Sequence, residues 1–137
     1  MSLRFLLDTN ICIYIRQKKS PEVLARFDEV QAGEAAMSTI THGELLYGAA
    51  RSQNPEGARR ILGELVAWIP VLSLPDEAAE EYGRVRASLE GRGIMIGTND
   101  LWIAAHAKVA GLTLVTNNEK EFRRISGLKI ENWASKK

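Results

Sequence analysis

Short apolar runs of strand length alternate with helix-patterned stretches along the chain, and that alternation restricts the fold more than any other feature. The runs are LRFLL (3–7), AAMST (35–39), IPVLSL (69–74) and LTLVT (112–116), with LKIENW (128–133) as a candidate fifth. Between them lie TNICIYIRQ (9–17), a helix opening at Ser20-Pro21, a helix over 41–52 and a helix capped by Asn54 with Pro55 in its first turn. A helix over 76–91, one running from Asp100 to Gly111-Leu112, and a short one from Asn118 complete the pattern. Serine and asparagine side chains satisfy the free N–H groups of a helix start, and proline is tolerated there because its missing N–H would have had no partner. Gly91 and Gly111 are read as stops, since glycine reaches the left-handed backbone that closes a helix. Pro70 cannot donate to a ladder, so the third strand is expected to begin there or to lie near an edge. Tyr82, Val85 and Leu89 share one helical face, whereas 100–112 is apolar almost all round and should be well buried.

Strands separated by helices pair in parallel through right-handed crossovers. The expected fold is therefore α/β: a three-layer α/β/α sandwich around a central, mainly parallel sheet of four to five strands. One domain over residues 1–137 accommodates it. Hydrophobic residues at 45% and charged residues at 26% fit an ordinary globular protein. A net charge of +1 gives no bulk basic excess of the kind that marks a nucleic-acid binder, although charge can still be segregated on the surface. The single cysteine, Cys12, excludes an internal disulfide and suits a reducing compartment. The opening apolar run is too short for a signal peptide and is interrupted by Asp8, and no stretch approaches the roughly 20 apolar residues of a membrane span. These observations predict a cytoplasmic protein with no membrane partner.

In parallel sheets ligands bind beyond the carboxyl ends of the strands. Asp8 ends the first run, Glu44 follows the second, and Glu121 follows the fourth. Asp100 opens the helix that feeds the fourth strand, so its first turn lies near that strand's finish. All four acids are expected at one rim. Each also has a purely structural reading: Asp8 as a helix cap, Thr41 to Glu44 as a capping box, Asp100 as an anion at a helix N-terminus, and Asn118 to Glu121 as a cap with a trailing acid. Together they argue differently. Gathered carboxylates repel one another and raise one another's pKa unless a cation neutralises them. An all-oxygen ligand set suits Mg²⁺ or Mn²⁺, and such an ion activates water and offsets charge on a phosphoryl oxygen. Arg16, Lys18, Lys19, Arg92 and Lys120 are candidates for holding a phosphodiester nearby.

The segments LLDTNICIYI, TITHGELLYGA, IGTNDLWIAAHA and LVTNNEKEFRRISGLKIENW resemble, in that order and at those intervals, the PIN-domain toxins of VapC type. The resemblance reaches Trp133 and implies a metal-dependent endoribonuclease acting on tRNA or ribosomal RNA, inhibited by a cognate VapB-type antitoxin and forming a homodimer. It implies Asp8 and Asp100 as principal metal ligands and Glu44 as the third acid. Some relatives carry an acid where this chain has Asn117, an amide; Glu121 or Glu119 then completes the quartet, with Glu121 matching the family's EF pair. Asn10, Asn99 and Thr116 are implied as supports for the acids and for water.

Other side chains have simpler expectations. His42 is read as an exposed helix-start residue rather than a general base. His106 is read as a hydrogen-bonded core histidine and Cys12 as a buried thiol. Tyr47 and Trp68 can stack bases, but packing is the expectation for both. The helices at 20–28 and 54–67 can serve an antitoxin, a second protomer or the sheet. A haloacid-dehalogenase-like phosphatase needs a second aspartate where Asn10 stands, and a receiver needs adjacent acids that LLDTN lacks. An inactive PIN-like module that binds RNA or a partner is opposed by the retention of Asp8, Glu44 and Asp100.

Overall fold

The computed structural model describes residues 2–134; residues 1 and 135–137 of the expected domain lie outside that range. Its elements run β1 (Phe5–Leu7), α1 (Thr9–Gln17), α2 (Pro21–Glu29), β2 (Ala35–Ser38), α3 (Thr39–Ala50) and α4 (Pro55–Trp68). They continue with β3 (Val71–Leu72), α5 (Glu77–Gly91), α6 (Thr98–Ala110), β4 (Thr113–Val115), α7 (Glu119–Phe122) and β5 (Ile130–Glu131). The five strands form one sheet in the order β3-β2-β1-β4-β5, and every pairing is parallel. The short third strand lies at an edge, as Pro70 requires. LKIENW supplies the opposite edge through Leu114↔Ile130 and Val115↔Glu131.

Strand alternation builds the three layers. Phe5 and Leu7 point to one face and join Ile11, Cys12, Met37, Leu45, Leu62 and Trp133. Leu6 points to the other and joins Val85, Leu89, Leu101, Ile103, Leu114 and Phe122. Both layers are thus anchored on β1, the central strand, which is buried throughout. The helix 100–112 region packs as its all-round apolarity demands, with six buried residues on α6.

Most helix boundaries follow the expected chemistry. The Ser20 hydroxyl accepts from the Val23 N–H, and Asn54 accepts from the Gly57 N–H. Gly111 takes φ +71° and Leu112 N–H closes on Ala107 O at 2.9 Å. Two expectations are corrected. α5 runs through Gly91, and the left-handed residue is Gly93, at φ +73°, where Ile94 N–H reaches back to Leu89 O. Gly93 provides the closing geometry, so Gly91 is simply the last helical residue. α3 begins at Thr39 with Ser38 as its cap, whose hydroxyl accepts from Ile40 N–H at 3.1 Å. Thr41 is therefore already inside the helix, and the capping-box reading of Glu44 fails.

Candidate active site

The sheet order places a switch point between β1 and β4: the chain leaves β1 toward β2 and β3, then crosses back to β4. Crevices of this kind open beyond the carboxyl ends of the strands. Asp8 follows β1 directly, and its N–H is held by Val115 O of β4 at 3.0 Å. Its carboxylate caps α1 by accepting from Ile11 N–H at 2.9 Å. Asp8 is only 5% exposed. Burial pushes its pKa up to about 6, against hydrogen bonds from Thr116 and the Ile11 and Asn10 N–H groups that pull it down, while the charge of Glu44 adds to the rise. A helix cap alone would lower this pKa, so the cap does not account for the environment of Asp8.

Glu44 stands in the second turn of α3, and its two oxygens are held from two other helices. Thr9 Oγ1 of α1 donates to Oε1 at 2.5 Å, and Asn99 Nδ2 of α6 donates to Oε2 at 3.3 Å. Thr9 Oγ1 also lies 3.2 Å from Thr41 Oγ1. Asp100, in the first turn of α6, has its pKa raised to about 7. Burial is the largest cause, followed by the hydrogen bond and charge of Glu121, then the charges of Asp8 and Glu44. The influence of Glu121, Asp8 and Glu44 on Asp100 shows that the four acids lie close together.

Glu121 Oε1 is buried and has no hydrogen-bond partner. A buried carboxylate oxygen without a donor is costly, and a cation is one group that satisfies it. Glu119 is different: Arg123 Nη2 donates to it at 2.9 Å and Asn132 Nδ2 at 3.0 Å, which lowers its pKa. Of the two acids offered for the fourth place, Glu121 is the one that meets Asp100. None of the four converging acids has an ion pair among the described residues. Among those residues no group of three or more His, Cys, Asp or Glu side chains is placed to hold a metal ion. Mg²⁺ does not require one, because it keeps several waters and takes one or two carboxylates. The open, all-oxygen donor set and the orphaned Glu121 oxygen both fit such an ion.

The expected supports divide. Thr116, fully buried, bonds Asp8 through its side chain and also accepts from Asn118 N–H at 2.9 Å. Asn99 holds Glu44. Asn117 donates to Tyr14 OH at 2.9 Å, so it ties the end of β4 to α1. Asn10 is exposed and serves Asp8 through its backbone N–H rather than its amide. His106 is buried with Nδ1 3.0 Å from Ser38 Oγ, and burial lowers its pKa. Cys12 is buried among apolar side chains, which pushes its thiol far up. His42 is half-buried rather than exposed. The packing expectation for Tyr47 and Trp68 is overturned: they are 63% and 68% exposed. Tyr47 borders an open groove of about 660 Å³ with Thr9, Thr39, Gly43, Glu44 and Asn99. A second groove, of about 300 Å³, runs from Thr9 and Glu44 along Ile13, Arg16, Leu45 and Ile61. Arg51, whose guanidinium bonds Tyr47 OH at 3.2 Å, is absent from the basic residues singled out in the sequence. Its i+4 spacing from Tyr47 was the available signal.

A family model described as PIN domain matches residues 5–128. The tRNA(fMet)-specific endonuclease VapC of Shigella flexneri is 42% identical over 132 residues, covering 96% of this chain and 99% of that one. The chain belongs to the VapC-type PIN-domain family. Ribonuclease VapC2 of Haemophilus influenzae is 40% identical over 131 residues, covering 96% of this chain and 98% of that protein. Among solved structures, the DNA-bound VapBC of Salmonella typhimurium aligns with a TM-score of 0.89 at 39% identity, covering 96% of this chain and 98% of that one. The PIN-domain assignment agrees with the parallel sheet, the three layers and the rim on which the acids meet. It leaves the phosphatase and receiver readings without support. No helix among the described residues is long and apolar enough to cross a membrane.

Proposed function

We propose that this chain is the endoribonuclease toxin of a toxin–antitoxin pair, hydrolysing phosphodiester bonds in RNA of the tRNA or ribosomal class. The observation that carries the reading is the convergence of four acids from separate parts of the chain, with no ion pair to a base among the described residues, in the switch-point crevice of a PIN fold. The names of the relatives support RNA cleavage as the activity. The cofactor in this reading is Mg²⁺ or Mn²⁺, with Asp8 and Asp100 as its principal protein ligands. When bound, the ion supplies charge to offset a phosphoryl oxygen and lowers the pKa of an attacking water.

The chain's own residues carry the rest. Thr9 and Asn99 fix Glu44 from opposite sides, so its carboxylate is positioned before substrate arrives. Thr116 orients Asp8. Burial and the neighbouring Glu121 hold the Asp100 carboxyl above the usual carboxylate range, and a bound cation would favour its charged form. Arg16, which lines the groove along Ile13 and Ile61, and Arg51, bonded to Tyr47 beside the other groove, offer positive charge to a polyanion that the acids repel. A VapB-type antitoxin is the proposed partner, supported by the likeness to a solved VapBC structure. The apolar groove of Ile13, Leu45 and Ile61 opens onto Glu44 and gives such a partner a surface beside the acids. A homodimer is proposed on the family resemblance.

The test is cleavage of total bacterial RNA by the purified chain in Mg²⁺, Mn²⁺ and EDTA. Asp8→Asn and Asp100→Asn serve as controls; asparagine keeps the Asp8 cap, so the first variant should fold. Discrete cuts that need metal and disappear in both variants are expected. Cuts that persist in both variants would remove the assignment.

A further inference from the structure

We propose that Tyr47 is a stacking platform for one base beside the scissile phosphate, with Gly43 keeping open the path from that ring to the acids. The inference rests on the ribonuclease reading. Tyr47 lies one helical turn beyond Glu44, so the two side chains border one groove. A tyrosine that is 63% exposed contributes little to the core. It is nevertheless held in place: Arg51 Nη1 donates to its hydroxyl at 3.2 Å, and the guanidinium carbon lies 5.4 Å from the ring centroid. Arg51 has no carboxylate partner among the described residues, so its charge remains available to a phosphate. An exposed aromatic ring beside a cation with no carboxylate partner among the described residues is what single-stranded RNA binds, through base stacking and backbone neutralisation.

Gly43 is the independent part of the argument. It sits inside α3, four residues before Tyr47 and on the same groove. A Cβ there would meet nothing within 4 Å. Glycine weakens a helix interior relative to alanine, and no neighbour requires it at this position. Gly43 lines the groove that Glu44 and Tyr47 share, so a side chain there would narrow it. The occupant is a single-stranded nucleotide, and recognition is tolerant of base identity because every base has a stacking face.

The experiment has a cleavage arm and a binding arm. Steady-state kinetics on a short oligoribonucleotide containing a mapped cut are expected to show kcat/KM falling roughly 5- to 100-fold for Tyr47→Ala, mainly through KM. Tyr47→Phe, which keeps the ring, should stay within about threefold. Gly43→Leu should raise KM while raising the thermal midpoint. Abasic substitution along the substrate should reveal one position where the wild-type chain loses as much as Tyr47→Ala and the variant loses nothing further. Binding is read separately by fluorescence anisotropy of labelled oligoribonucleotide in the non-cleaving Asp8→Asn background, where Tyr47→Ala should weaken binding by a similar factor. Wild-type affinity in Tyr47→Ala, equal losses in Phe and Ala variants, or no binding by the wild-type surface would overturn the proposal. So would a changed oligomeric state in Tyr47→Ala, which would reassign the ring to an interface between copies. Tyr47-dependent binding with no cleavage in any metal would retain the platform and remove the ribonuclease reading.

Discussion

Glu119 and Glu121 stand two residues apart, yet their carboxylates meet opposite surroundings. Glu119 is satisfied by Arg123 and Asn132 at the surface. Glu121 turns inward, raises the pKa of Asp100 through a hydrogen bond and its charge, and leaves one buried oxygen unpartnered. The pair therefore makes an internal control. Glu121→Gln is expected to lower metal-dependent cleavage roughly 10- to 100-fold, the range found when groups supporting a metal site are removed. Glu119→Gln should stay within about threefold, because exposed ion pairs contribute little. Rates measured against Mg²⁺ concentration separate the two, since only Glu121→Gln should shift the metal requirement. The motif spacing made both residues visible but not the choice between them. Sequence places acids on a rim; which one turns inward depends on where Arg123 and Asn132 fall in space.

At the scale of elements, the start of α3 carries more than a cap. Ser38 Oγ accepts from Ile40 N–H and lies 3.0 Å from His106 Nδ1, so one hydroxyl joins the end of β2, the first turn of α3 and the middle of α6. Glu44 rides on α3 and Asn99 on α6, so the joint sets the distance between them. Ser38→Ala should cost about 1–3 kcal/mol, from the lost cap and the orphaned imidazole, as read by urea denaturation. Cleavage should fall as well, through looser placement of Glu44. Strands, helix order and the Asn54 and Gly111 boundaries were legible because capping and stop chemistry is local. The start of α3 was not: Ser38, Thr39 and Thr41 are all competent caps, and strand pairing with Leu72 decides among them. Tyr47 escaped for a related reason. LLYGAA is apolar on every side, so periodicity cannot say which residue faces solvent.

For the whole molecule, the acid cluster sets a conflict between stability and function. The pKa of Asp8 rises from 3.8 to about 6 on folding, and that of Asp100 also rises. Between about pH 4 and pH 7 the folded chain then holds more protons than the unfolded chain at these sites, so their contribution to stability is lost as pH rises. His106, kept neutral by burial, acts in the opposite direction at the acid end. The comparison is therefore made against a variant. Metal-free Asp8→Asn should be more stable than wild type at pH 8, by on the order of 2 kcal/mol, and the two should converge near pH 4. Saturating Mg²⁺ should raise the thermal midpoint of wild type at pH 8 and leave the variant nearly unmoved. The sheet order adds a consequence in time. Asp8 waits on β1 for β4 to pair beside it, and Glu121 arrives later still. A ribosome adding about 5–20 residues per second needs several seconds to make the intervening chain. Until then the emerging polypeptide has no assembled acid cluster, so on the proposed reading a cell that makes this nuclease is spared by its own unfinished copies.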